Sequence, residues 1–202
     1  SLLGAVDAEP ADFAEDIDRP DPALKDLSAP GTYRAGEGEH KQALRTTYRT
    51  LMMRIAACDV AGTFHARKGQ SRPQPEVGFR QMTALTTALA DAALTASLAC
   101  AVRTIYGDEP VDAQLAVMAM GKCGAGELNY ISDVDVIFVG SEATPRAMRL
   151  AAEFNRIGST TFFEVEANLR PEGKSGALVR TLESHVAYYK RWAETWEFQA
   201  LL

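Results

Sequence analysis

Two acidic residues alternate with valines at the start of an apolar segment, and this pattern constrains the chain more than any other. Val134–Val139 is apolar and β-branched around one acid, which predicts a β-strand. Because successive side chains of a strand point to opposite faces, Asp133 and Asp135 emerge together, while Val134 and Val136 point into the core. Neighbouring carboxylates repel each other unless a cation lies between them. The pair therefore predicts a site for Mg²⁺ or Mn²⁺.

A third carboxylate completes the predicted set. Glu166 lies in Phe162–Leu169, where apolar and polar residues alternate as in a strand. If this strand pairs beside the first one, the three acids converge on metal ions that activate an attacking oxygen and stabilise a leaving one. Arg170 would then lie close by, either as a fork for a phosphate or as an ion-pair partner of Glu166 alone.

A glycine-rich turn precedes the strand that carries the two aspartates. Its spacing, Gly-x-x-Gly-x-Gly, fits neither the Walker A pattern nor the Gly-x-Gly-x-x-Gly dinucleotide fingerprint. Gly121 and Gly124 are expected to let backbone N–H groups approach phosphate oxygens. Lys122 is either a charge partner for the same phosphate or a solvated side chain.

The whole chain predicts an α+β fold, with a small mixed β-sheet flanked by helices and helical segments before and after it. The two tryptophans of the last segment are expected in the core. The predicted elements are helices over Lys41–Val60 and Val77–Tyr106, strands over Leu115–Met120, Val134–Val139 and Phe162–Leu169, a helix over 146–157 and helical structure over 181–202. The predicted organisation is an acidic leader or linker (1–40), a helical segment (41–110), an αβ core (111–180) and the start of a C-terminal helical segment (181–202) of a larger protein.

Charge is distributed unevenly along the chain. The net charge is −6, and residues 1–30, with eight acids and two bases, hold all of it. The neutral remainder argues against nucleic-acid binding by bulk charge, so a nucleotide would be held by a few residues or a metal. Three widely spaced cysteines and three scattered histidines predict a reduced, cytoplasmic protein without disulfides or a zinc centre. No run of residues suggests a membrane helix or a secretory signal.

Several motifs between residues 115 and 202 together resemble one enzyme family. Gly121, followed after eleven residues by Asp133-x-Asp135, resembles the nucleotidyltransferase signature of the DNA-polymerase-β superfamily. More narrowly, the chain resembles the bifunctional glutamine synthetase adenylyltransferase/adenylyl-removing enzymes. The segments that carry this likeness are Gly-Lys-x-Gly-x-x-Glu-Leu from 121, Ser-Asp-Val-Asp-Val-Ile-Phe from 132, Leu-Arg-Pro-Glu-Gly from 169, Gly-Ala-Leu-Val from 176 and Trp-Glu-Phe-Gln-Ala-Leu from 196.

The resemblance implies a role for each candidate residue. Asp133, Asp135 and Glu166 would be catalytic metal ligands, although the third acid of the family is usually Asp, so that Glu166 adds a methylene. The implied nucleotide- and phosphate-binding residues are Gly121, Lys122, Gly124, Ser132 and Arg170. The implied partners are glutamine synthetase as the protein substrate, ATP or ADP, phosphate and a PII-type signalling protein.

The family has two catalytic halves, and the motifs divide between them. Glu-Leu-Asn-Tyr at 127–130 resembles the adenylyl-removing half, whereas Thr-Trp-Glu at 195–197 resembles the adenylylating half. The first motif lies closer to the acids, which favours phosphorolytic removal of AMP from a tyrosine of glutamine synthetase, a step that regulates nitrogen assimilation. Two alternatives stay open: ATP-dependent adenylylation by the same fold, and a catalytically silent module that binds a nucleotide or a partner protein.

Overall fold

The structure, a computed structural model, describes residues 37–60 and 75–200. The predicted leader lies outside these residues except for its last four, which are helical. The elements in chain order are α1 (Glu37–Val60), α2 (Pro75–Tyr106), β1 (Leu115–Ala119), α3 (Gly121–Gly124), β2 (Val134–Gly140), α4 (Pro145–Thr161), β3 (Val165–Glu166), β4 (Val179–Thr181), α5 (Leu182–Arg191) and α6 (Thr195–Ala200). The predicted α+β fold, a small mixed sheet flanked by helices, is confirmed.

The chain divides into two compact units. The first comprises residues up to Leu94 together with Gly126–Ile131, and the second comprises Thr95–Ala125 and Ser132–Leu202. All the candidate site residues belong to the second unit. The predicted boundaries at 40, 110 and 180 stay predictions.

The first unit is built on two helices with an apolar interface. Ile55 and Cys58 of α1 pack in one cluster with side chains of α2, namely Met82, Leu85 and Leu89. The segment 126–131 adds two polar anchors: the backbone N–H of Leu128 donates to Thr87 Oγ1 at 3.1 Å, and the Tyr130 hydroxyl donates to Asp59 Oδ2 at 2.9 Å.

The second unit contains a mixed sheet with β2 at its centre. β1 pairs antiparallel with β2, in a register that sets Ala119 opposite Val136. β3 and β4 both run parallel to β2 and pair with different parts of it, β3 with Val134–Asp135 and β4 with Phe138–Gly140. The start of β2 is therefore flanked by the end of β1 and by β3, and it is there that the two aspartates lie.

Helix α4 covers the apolar face of the sheet. Its first turn is capped by Thr144, whose hydroxyl oxygen accepts from the N–H of Ala147 at 3.1 Å, and Pro145 occupies the first helical position. Phe154 of α4 meets Phe138 of β2 edge-on, with ring centroids 5.5 Å apart. Both rings are fully buried, so this contact joins the helix to the central strand.

Two expectations about this unit are wrong. The predicted strand Phe162–Leu169 forms only at Val165–Glu166. Helix α4 continues to Thr161, and the N–H of Phe162 still donates to the carbonyl of Gly158 in its last turn. The strand therefore begins only at Val165, after the chain has left the helix. The tryptophans expected in the core are largely exposed, Trp192 at 65% and Trp196 at 55%, because Trp192 stands just past the end of α5 and Trp196 on the outer side of α6.

One helix is long and apolar enough to cross a membrane by length and composition alone, Gly78–Tyr106 within α2. More than half of its apolar window is buried inside the protein, which is also the pattern of a core helix in a soluble fold. The helix itself was predicted over Val77–Tyr106, but no membrane span was expected there, because no run of the sequence approaches the 18 or so apolar residues that such a span needs.

Candidate active site

The strand β2 presents two acids at one end of the sheet. Val134 and Val136 are fully buried, as predicted, against the layer that contains α4. The alternation of a strand therefore turns Asp133 and Asp135 to the opposite face, where Asp133 is exposed and Asp135 half-buried. The backbone carbonyl of Asp135 accepts from the N–H of Met120 at 2.9 Å, which ties this level of β2 to the chain leaving β1.

The third acid lies on the neighbouring parallel strand. Glu166 of β3 stands opposite Asp135 in the ladder, and Val165 stands opposite Val134. The short strand is held at its other side by α4, because the N–H of Val165 donates to Ser159 Oγ at 3.1 Å. The predicted neighbourhood of the two acid-bearing strands is therefore present in the structure.

The proximity of the acids has an electrostatic consequence. Burial raises the pKa of the Asp135 carboxyl above its ordinary value, and the negative charges of Asp133 and then Glu166 raise this pKa further. A carboxylate that is destabilised in this way by two like charges is a group that a bound cation would stabilise. The chemistry of the donor set, three hard carboxylates on one face, suits Mg²⁺ or Mn²⁺.

The three carboxylates do not surround a common point in this structure. Within residues 37–60 and 75–200, no three His, Cys, Asp or Glu side chains stand close enough together to hold a metal ion. Glu166 is turned toward Asn168, whose side-chain amide donates to Glu166 Oε2. Metal binding by all three acids would thus require Glu166 to exchange its contact with Asn168 for one with the ion.

The glycine turn forms a single helical turn, α3, between β1 and the segment that leads to β2. Gly121 begins it with φ 53°, a left-handed conformation that favours glycine. A Cβ at Gly124 would lie 2.6 Å from the carbonyl oxygen of Ala119. Both glycines are therefore required by the backbone path that brings α3 close to the end of β1. Cys123, between them, is buried, as suits a small apolar side chain.

The candidate phosphate contacts differ in their surroundings. Lys122 is exposed on α3, and Ser132 is half-buried immediately before Asp133. These positions place an exposed positive charge and a hydroxyl on the two segments that flank the acids. Both residues stay predicted phosphate ligands.

Arg170 has structural partners that its sequence position did not reveal. Its guanidinium donates to three backbone carbonyls of its own turn, those of Ala167 at 2.5 Å, Gly176 at 3.0 Å and Lys174 at 3.0 Å. Burial lowers the pKa of this guanidinium from its ordinary value. In this arrangement Arg170 fixes the turn after β3, and its binding of a phosphate stays a prediction.

Asn168, the hydrogen-bond partner of the third acid, was not among the residues predicted from the sequence. Glu166 and Asn168 stand two residues apart, and the alternation noted in the sequence already placed them on one face. That signal predicted proximity. It did not show that the amide would compete with a metal ion for the carboxylate.

Comparison with known proteins agrees with this geometry. A family model described as glutamate-ammonia ligase adenylyltransferase matches residues 7–202. The chain belongs to the glutamate-ammonia ligase adenylyltransferase family. The resemblance inferred from the motifs is thereby confirmed.

Curated members of this family are close relatives over the matched region. The bifunctional glutamine synthetase adenylyltransferase/adenylyl-removing enzyme of Corynebacterium efficiens is 60% identical over 210 residues, covering 100% of this chain and 20% of that protein. The protein of the same name from Corynebacterium glutamicum is 57% identical over 206 residues, again covering 100% and 20%. The Mycobacterium tuberculosis protein is 54% identical over 159 residues, covering 79% and 15%.

The match covers only part of each relative. The chain spans about a fifth of the length of the adenylyltransferase family members from Corynebacterium. The name of these relatives joins two opposite activities, adenylyl transfer and adenylyl removal, in one polypeptide. Membership in a family of nucleotidyltransferases is therefore shown.

Proposed function

We propose that this chain carries the catalytic centre that removes AMP from a tyrosine of glutamine synthetase by phosphorolysis. The observation that supports a nucleotidyl-transfer centre is the register of β2 and β3, which sets Glu166 opposite Asp135 beside Asp133. The motif Glu-Leu-Asn-Tyr at 127–130, which resembles the adenylyl-removing half of the family, supports the direction of the reaction.

The reaction exchanges one phosphorus–oxygen bond for another. An oxygen of inorganic phosphate forms a bond to the phosphorus of the adenylyl group, the bond from that phosphorus to the tyrosine oxygen breaks, and the phenolate takes up a proton. The products are ADP and unmodified tyrosine. Because charge accumulates on the transferred group, catalysis consists mainly of positioning and neutralisation.

The residues of this chain divide those tasks in the proposal. Asp133, Asp135 and Glu166 would hold Mg²⁺ or Mn²⁺. When bound, such ions neutralise charge at the phosphorus of the transferred adenylyl group. Backbone N–H groups of α3 would approach phosphate oxygens, which the glycines at 121 and 124 permit. Lys122 and Ser132 would add a charge and a hydroxyl on the flanking segments.

The wider setting is part of the same proposal. ATP or ADP and phosphate would be the small partners, glutamine synthetase the protein substrate and a PII-type protein the regulator, in the cytoplasm. The name that the relatives share supports glutamine synthetase as the substrate, and the family resemblance supports the others.

The direction can be tested with both half-reactions in parallel. The chain is incubated with adenylylated glutamine synthetase, phosphate and Mg²⁺, and separately with ATP and the unmodified enzyme. Phosphorolysis predicts ADP in the first mixture, whereas adenylylation predicts pyrophosphate in the second. The second candidate, adenylylation, is favoured by Thr-Trp-Glu at 195–197, and pyrophosphate without ADP would establish it.

A silent regulatory module predicts a different result. Asp133→Asn and Asp135→Asn would then leave the biological effect of the chain intact. Loss of turnover in both variants, with circular dichroism and unfolding transitions like those of the wild type, excludes the silent module.

A further inference from the structure

A buried carboxylate outside the three acids joins the last two helices. Glu197 of α6 is only 7% exposed. Its Oε1 accepts from the Tyr188 hydroxyl at 2.9 Å, and its Oε2 accepts from the backbone N–H of Glu194 at 2.8 Å. The second contact caps the first turn of α6, and the first reaches α5. One carboxylate oxygen thus joins α6 to α5, and the other fixes the start of α6.

The same tyrosine reaches the turn that follows β3. The backbone N–H of Glu172 donates to the Tyr188 hydroxyl at 3.4 Å. Glu172 has φ 65°, a left-handed conformation that is unfavourable for a residue with a side chain. Its carboxylate also accepts from Arg180 Nη2. Contacts to its backbone and its side chain therefore hold Glu172 in a conformation that it would not prefer alone.

The turn leads back to the third acid. The N–H of Gly173 donates to the carbonyl of Arg170 at 2.8 Å, and Arg170 Nη1 donates to the carbonyl of Ala167 at 2.5 Å. Ala167 follows Glu166 directly. Four hydrogen bonds, joined by the peptide bond from Glu172 to Gly173 and by the side chain of Arg170, thus connect Glu197 with the residue beside the candidate metal ligand.

We propose that Tyr188 and Glu197 are positioning residues for the candidate metal site. They hold the Glu172 turn, and through Arg170 they hold the end of β3 where Glu166 stands opposite Asp135. The inference rests on the proposed function for its catalytic meaning, but the hold on the turn can be measured by itself. It gives a structural role to the motifs Leu-Arg-Pro-Glu-Gly and Trp-Glu, neither of which contains any of the three candidate metal ligands.

The chain offers a matched pair of variants. Tyr188→Phe removes the bridging hydroxyl and keeps the ring, which lies 5.7 Å from the Arg180 guanidinium carbon. Tyr189→Phe removes the hydroxyl of the adjacent residue, which is buried and has no hydrogen-bond partner within the described part of the chain. Both changes delete one oxygen from the same helix, so a difference between them reports on the bridge.

The first readout is hydrogen–deuterium exchange at the amides of the turn. Gly173 and Gly176 donate to carbonyls within it, at 2.8 Å and 3.1 Å. Loss of a hydrogen bond to a charged group predicts roughly tenfold faster exchange at these two amides in Tyr188→Phe. Amides of β2 and α4 should exchange as in the wild type, and Tyr189→Phe should change nothing. Unchanged exchange at 173 and 176, or equal acceleration throughout β2, would overturn the proposal.

The second readout is the dissociation constant for Mn²⁺, measured by electron paramagnetic resonance on the full 202-residue chain. The proposal predicts a several-fold higher constant in Tyr188→Phe and the wild-type constant in Tyr189→Phe. An unchanged constant despite faster exchange would show that the bridge serves the turn alone, and the positioning role would be lost. If the wild type binds no Mn²⁺, the metal site of the proposed function fails, and exchange alone decides whether the bridge holds the turn.

A second variant guards against misfolding of the first. Glu197→Gln keeps the shape of the side chain but leaves one accepting oxygen for two donors. The expected exchange rate lies between those of the wild type and Tyr188→Phe. A rate equal to that of the wild type would count against the bridge.

Discussion

Asp135 and Glu166 stand directly opposite each other on the neighbouring parallel strands β2 and β3. Adjacent strands lie about 5 Å apart, so the two carboxylates share one level of the sheet. The repulsion between them opposes folding, and the same concentration of negative charge favours a cation. Stability without metal and affinity for metal therefore depend on the same side chains in opposite directions.

In the absence of divalent ions, Asp135→Asn should stabilise the fold at pH 7. The pKa of Asp135 is raised in the folded protein from the ordinary value of 3.8, first by burial and then by Asp133 and Glu166. Below pH 3.8 the carboxyl is protonated in both states and contributes nothing. As the pH rises, the unfolded chain ionises first, so the folded state loses stability until the pH exceeds its own pKa.

Urea unfolding at several pH values measures this effect. The gain in the free energy of unfolding of Asp135→Asn over the wild type should be absent near pH 3 and complete at neutral pH. Glu164→Gln, which removes an exposed charge two residues from Glu166, should change the free energy of unfolding by less than about 0.5 kcal/mol. A variant Asp135→Asn that is less stable than the wild type at pH 7 contradicts the account.

Adding Mn²⁺ should make the wild type more stable than Asp135→Asn, the reverse of their order without metal. An ion that binds only the folded state at about one hundred times its dissociation constant stabilises that state by about 2.7 kcal/mol. The wild type should gain this stability, Asp135→Asn should gain little, and a chelator should remove the gain. Thermal unfolding with and without Mn²⁺ measures it, and equal stabilisation of both proteins would place the ion elsewhere.

Gly124→Ala should destabilise the second unit by about 2 kcal/mol. The new Cβ would meet the carbonyl oxygen of Ala119 at 2.6 Å, and a backbone atom at the end of β1 cannot move aside cheaply. Lys122→Ala is the control, since that side chain is exposed on the same short helix. Chemical denaturation should show the loss for the first variant alone. Equal stabilities would mean that α3 can move away from β1.

Arg170→Lys should lower the free energy of unfolding by about 2 kcal/mol, because one ammonium cannot reproduce a fork that reaches three carbonyls. The affinity for phosphate, measured by calorimetry, should fall no more than the loss of stability explains, because Arg170 acts on the turn and not on the phosphate. Wild-type stability combined with lost phosphate binding would instead make Arg170 the phosphate fork that its sequence position suggested.

The sequence predicted the parts of this site that depend on local periodicity. The alternation around Asp133 and Asp135 correctly placed the valines inside, because the period of a strand follows from its backbone alone. The pairing of β3 beside β2 was also expected from the third acid, and the register of Asp135 and Glu166 bears out that proximity.

The parts that could not be predicted depend on tertiary partners. The last strand residue is Glu166, and the carbonyl of the next residue, Ala167, accepts from Arg170, a contact that spacing along the chain does not reveal. The orientation of Glu166 is likewise not fixed by its position in the sequence, because its carboxylate can accept from the Asn168 amide or bind a metal ion. Exposure of Trp192 and Trp196 follows from where α5 ends and α6 begins, and helix ends are the least certain part of any pattern.

The most direct test of the central claim follows the fate of labelled inorganic phosphate. The chain is incubated with adenylylated glutamine synthetase, Mg²⁺ and ³²P-phosphate, with Asp135→Asn as the inactive control and Glu164→Gln as the active one. Phosphorolysis predicts labelled ADP that carries the ³²P in its β-phosphate, formed in step with the loss of AMP from the protein. No labelled ADP from the wild type, together with transfer of AMP from ATP to unmodified glutamine synthetase, would contradict the account.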